Sequence, residues 1–118
     1  MMGLGASAGF FITPSRTGRI VATIAGCAAN NSNNSGFNIT GRFGTGTAPA
    51  NGDPVTGTAW STTQHYFQSS SKDVSGFTVI GGNPSLTLGT PVWFDISVAA
   101  VAGGTVTVTD VQALLYEI

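Results

Sequence analysis

Clusters of glycine, proline, asparagine and serine interrupt this chain so often that no window of a dozen residues keeps an apolar face at i, i+3, i+4 and i+7. Amphipathic helices are therefore poor candidates for its building units. What lies between the interruptions is short and rich in β-branched and aromatic residues, the pattern of strands. The sequence predicts strands over Ser7 to Thr13, Arg19 to Cys27, Phe37 to Phe43, Gly76 to Ile80 and Pro91 to Val98, with a poorly alternating piece at Trp60 to Phe67. Phe37, Ile39 and Phe43 share one face of their strand, and Gly41 interrupts that face, marking a bulge or a close approach. Val92, Phe94, Ile96 and Val98 share a face opposed by Trp93, Asp95 and Ser97.

The last part of the chain is the most apolar. Gly103-Gly104 fits a hairpin turn, and the alternation of Val106 and Val108 with threonines changes phase at Asp110, as a bulge would require. Val111, Ala113 and Leu115 then oppose Leu114, Tyr116 and Ile118. A strand apolar on both faces is expected at the centre of a sheet. Asn83-Pro84 and Gly89 flank a small apolar piece at Leu86 and Leu88. Short strands, turn-rich connections and no internal repeat predict one all-β domain over residues 1–118, an antiparallel β-sandwich.

Charge narrows the function. The 118 residues hold four Lys or Arg and five Asp or Glu, 8% of the chain, where a soluble domain carries about 25%. That excludes a basic face for nucleic acid, and the hydrophobicity argues against disorder. No stretch approaches the roughly 20 apolar residues of a membrane helix, so no membrane insertion is expected. The N-terminus lacks the basic-then-apolar pattern of a secretory signal. Cys27 stands alone in an apolar run and is expected to be buried, with no internal disulfide. Strands apolar on both sides with so little charge predict self-association, a homotrimer being the favoured form, with Leu114, Tyr116 and Ile118 at the interface. A charge at Leu115 is expected to abolish folding or assembly.

Catalytic chemistry finds little material. His65 is the only histidine, and the five acids show no metal-ligand spacing, so neither a metal nor a cofactor is expected. Asp53, in Asn51-Gly52-Asp53-Pro54, reads as a turn residue ahead of a calcium ligand. Gly5-Ala6-Ser7-Ala8-Gly9 matches a nucleophile elbow in letters, but the strand-turn-helix context is missing. An enzyme is not expected. Trp60, His65, Tyr66 and Phe67 gather beside a polar loop and are candidates for contact with a receptor or sugar; the competing reading packs Trp60 and Phe67 in the core or a subunit seam. Arg19 and Arg42 are candidates to pair with Asp95 or Glu117.

Four segments in order carry a resemblance: Ile12-Thr13-Pro14-Ser15-Arg16-Thr17-Gly18-Arg19, Gly44-Thr45-Gly46-Thr47-Ala48-Pro49-Ala50-Asn51-Gly52, Pro91-Val92-Trp93-Phe94-Asp95 and Ala102-Gly103-Gly104-Thr105-Val106. Together they make the chain similar to a β-sandwich domain of tailed-phage and prophage virion proteins of fibre, tail or head-appendage type. The resemblance implies a jelly-roll topology like that of tumour-necrosis-factor-type trimers, location in the virion, and other virion proteins as partners. A host-surface glycan is the alternative partner, for a module at the recognition tip. No catalytic motif comes with the resemblance.

Overall fold

A computed structural model describes residues 1–83 and 85–118, without the side chains of Ser7, Ala8 and Asn83. Eight strands follow one short helix: α1 (Leu4–Ala8), β1 (Phe11–Ile12), β2 (Ile20–Asn30), β3 (Ser35–Thr45), β4 (Thr58–Ala59), β5 (Gln64–Gln68), β6 (Ser75–Asn83), β7 (Val92–Val101) and β8 (Val106–Glu117). They form an antiparallel β-sandwich. One sheet runs β1-β7-β3, with β4 and β5 both paired to the far edge of β3; the other runs β6-β2-β8.

These are jelly-roll orders. An eight-stranded jelly roll faces a 1-8-3-6 sheet against a 2-7-4-5 sheet. Placing β1 second and β8 last, with β4 and β5 sharing the fifth position, reproduces both sheets except for the first strand. No strand occupies that position among the described residues, so the edge of β8 facing away from β2 is unpaired.

The core lies where alternation predicts. Ile20, Ala22, Ile24 and Ala28 of β2 face Phe37 and Ile39 of β3 and Phe94 and Ile96 of β7, all buried. Gly41 is neither bulged nor empty in its role: a Cβ there would run into the Trp60 indole, and one at Gly81 on the opposite sheet would meet the Trp60 backbone and ring. The ring therefore fills space that two glycines leave open. Its Nε1–H donates to the Arg42 carbonyl at 3.0 Å, and its edge meets Phe94 at a centroid distance of 5.9 Å. Gln68 closes the same flank. Its buried amide accepts from Asn30 N–H at 2.7 Å and donates to the Asp73 carbonyl at 2.8 Å.

Several expectations are corrected. Leu4 to Ala8 is helical, bounded by Gly3 and Gly9 in left-handed backbone, so the predicted strand at Ser7 to Thr13 shrinks to Phe11–Ile12. Trp60 to Phe67 holds no single strand, since Trp60 lies between β4 and β5. Gly103-Gly104 does not make a hairpin: Ala102, Gly103 and Gly104 all have positive φ and carry the chain from one sheet to the other. Strand β8 is an edge strand, not a central one. The bulge at Asp110 does form, with φ of 54° and the register slipping opposite Gly26. Leu86 is half-buried and Leu88 exposed, outside any strand, while Pro84 of the predicted turn lies outside the described residues.

The Trp60 contact generates a test. Gly41→Ala forces a methyl against a rigid indole in a packed interior, at a cost of about 1–3 kcal/mol. Urea denaturation should show a lowered midpoint with an unchanged slope; an unchanged midpoint would mean that the ring has room to move.

Candidate functional site

Two exposed sheet faces divide the predicted site residues between them. On the three-stranded sheet, residues of odd number in β2 point outward. Register sets Ile80, Thr23 and Leu114 in one row across β6, β2 and β8, Gly82, Val21 and Tyr116 in the next, and Thr78, Ala25 and Gln112 on the other side. Ile80 is 62% exposed, Leu114 59% and Tyr116 44%, and Ile118 beyond the strand end is 59% exposed. No residue in these rows carries a charge. Cys27 lies on the same outer side, half-exposed rather than buried as expected, because β2 has a neighbouring layer on only one face.

The sequence thus places Leu114, Tyr116 and Ile118 on one surface, and the structure adds Ile80. That residue was missed because it lies distant in sequence; only the β2–β6 register brings it beside Thr23. Leu115 points the other way, half-buried against the core, so a charge there tests folding rather than assembly. The inward side chains of β8 (Val106, Val108, Val111, Ala113 and Leu115) are all only half-buried. The flank of the sandwich at β8 is therefore less closed than the flank sealed by Trp60 and Gln68.

The four aromatic-segment candidates do not form one site. Trp60 is buried, as described, and is removed from the set of exposed contacts. Tyr66 turns inward and stacks on Phe37 with centroids 5.0 Å apart, its hydroxyl donating to Gln64 Oε1. Alternation along β5 sends His65 and Phe67 to the outer face of the five-stranded sheet. There His65 Nδ1 lies 2.6 Å from Asn38 Oδ1, and Phe67 is 73% exposed. A depression of about 390 Å³ runs between Phe67 and Val101 over Gly36.

The charged groups mostly serve the fold. Asp95 is buried on the side of β7 away from the core, where the Gly3 and Leu4 N–H groups donate to it at 2.9 and 3.3 Å. Burial raises its carboxyl above the usual range, and backbone hydrogen bonds from Ile96, Leu4 and Gly3 oppose that shift. Glu117 accepts the N–H groups of Ser15, Arg16, Thr17 and Gly18, a concave run of backbone donors filled by this side chain. Those bonds, Ser15 foremost, lower its carboxyl to about 2. Asp53 accepts from Ala50 N–H within its turn, and Asp73 from Ser69 and Ser70 N–H. The expected arginine pairings do not form among the described residues: Arg42 stands opposite Asp95 in register but donates to Ser97 Oγ. Among those residues no three His, Cys, Asp or Glu side chains converge on a metal-sized space. Ser7 of the elbow-like motif sits in α1, its side chain outside the described residues, with no strand before it.

No protein-family model, no curated protein and no solved structure matches the chain.

Glu117 sets an acid dependence. Because its folded-state carboxyl lies below the ordinary 4.5, it contributes stability above that pH and loses the contribution as pH falls towards 2. The raised Asp95 carboxyl acts with the opposite sign. The difference in melting temperature between the native chain and Glu117→Gln should be largest near pH 6 and shrink from about pH 4.5 downward. A constant difference would show that the charge on Glu117 is irrelevant.

Proposed function

We propose that this chain is a structural module of a phage virion, in a fibre, tail or capsid appendage, which assembles with copies of itself through the outer face of its three-stranded sheet. One observation carries the reading: Ile80, Leu114 and Tyr116 stand exposed in rows that contain no charged residue, and Ile118 extends that surface beside Arg19 at its end. Large apolar patches on a soluble domain mark interaction surfaces. Rows of uncharged side chains offer little to steer a charged partner, whereas they suit another copy of the chain, apolar against apolar. The jelly-roll order supports the reading, as does the sequence resemblance. A structural rather than catalytic role is supported by the acids, four of which accept backbone donors that the fold needs.

Leu114→Asp and Ile80→Asp place a charge on this face without touching the core. Light scattering behind a sizing column should show a homo-oligomer for the native chain and a folded species of smaller mass for each variant. A native monomer would overturn the proposal, as would variants that assemble unchanged.

A second reading, a glycan-binding module, rests on the exposed Phe67 ring beside the His65–Asn38 pair and over the Gly36 floor. An exposed ring offers a stacking face, and imidazole and amide groups offer partners for hydroxyls. Trp60 and Tyr66 no longer belong to it. Phe67→Ala should then abolish adsorption to host cells while leaving folding and mass intact; undiminished adsorption would remove this reading.

A further inference from the structure

The free edge of β8 is the vacant first-strand position of the jelly roll, and we infer that a second copy fills it by pairing its own β8 antiparallel to this one across a two-fold axis. The inference rests on the self-assembly proposed above and adds to its face contact a second contact between copies, at the strand edge.

An unpaired edge presents a row of backbone N–H and C=O groups that template another strand. Soluble proteins blunt such edges with lysine, proline, bulges or very short strands. Strand β8 runs from Val106 to Glu117 with neither lysine nor proline, and its one bulge, at Asp110, leaves Val111 to Glu117 as a regular run. The half-buried inward side chains of that run show the flank still open on the side where the missing strand belongs.

Two features point to a second β8 as the occupant. The strand is self-complementary: centred on Ala113, antiparallel pairing sets Gln112 opposite Leu114 on the outer face and Val111 opposite Leu115 on the inner. Neither Asp110 nor Glu117 then faces an acid, so like charges do not oppose the pairing. Finally, the edge is continuous with the apolar outer face, and pairing joins two three-stranded sheets into one six-stranded sheet whose two apolar faces become a single surface. The expected assembly is then a dimer or a multiple of it, in place of the trimer expected from the sequence.

Native mass and amide hydrogen exchange on the intact chain test this together. An even-numbered oligomer is expected, with alternate amides of Val111 to Glu117, those pointing away from β2, protected in the oligomer and fast on dilution to monomer. An oligomer in which those amides stay fast, or a trimer, overturns the edge pairing and leaves self-assembly standing. A monomer at all concentrations overturns both. Gln112→Pro and Ala113→Pro give a second readout, because neighbouring residues of a strand direct their N–H groups to opposite edges. The variant that loses the outward N–H should fold with a smaller native mass; a folded, fully assembled protein from that variant would reject the proposal.

Discussion

The two flanks of this sandwich are closed by different means, and the behaviour of the molecule follows from that difference. On one side a tryptophan seated between glycines of opposing sheets and a buried glutamine tie the layers together. On the other side the layers meet at β8, whose core-facing residues are left half-covered. A domain of this size buries only about two thirds of its unfolded surface. An incompletely covered flank is therefore a considerable fraction of the apolar area it has available, and another protein surface is the natural way to remove it from water.

Scarcity of charge takes on a structural meaning in this setting. Asp53, Asp73, Asp95 and Glu117 hold turns, the N-terminal segment and the loop before β2 by accepting backbone N–H groups. Charge-assisted bonds of this kind are about twice as strong as neutral ones, which suits long connections with few apolar anchors. The same economy leaves the outer face of the three-stranded sheet without the repulsion that keeps surfaces apart.

Alternation made the layers legible. Period alone puts Phe37 with Ile39 on one face of their strand and Phe94 with Ile96 on one face of theirs, and both faces are the buried ones; the phase change at Asp110 marks a bulge without any knowledge of register. The same signal could not rank strands within a sheet. Apolar residues on both faces of Val111 to Ile118 fit a strand with layers on each side or an edge strand awaiting a partner, and a period of two is identical in the two cases. The sequence leaves Trp60 open between an exposed contact and the core, and Tyr66 among the contacts, for a related reason: the glycines that receive Trp60 and the phenylalanine beneath Tyr66 lie in other strands, and only three-dimensional register brings them near. The jelly-roll order came from the resemblance, because composition and period carry no information on which strands are neighbours.

The arch at Ala102-Gly103-Gly104 has a bearing on the order in which the protein is made. It delivers β8 to β2, from which it is separated in sequence by five other strands. Contacts so distant in sequence are closed slowly, and on the ribosome β2 must wait until β3 to β7 have been made before this neighbour exists. During that wait the most apolar interior strand has an open side, a state prone to misassociation. Nascent chains crowded on one message would present such open strands to each other, so the timing of synthesis, as much as the finished surface, bears on which copies meet first.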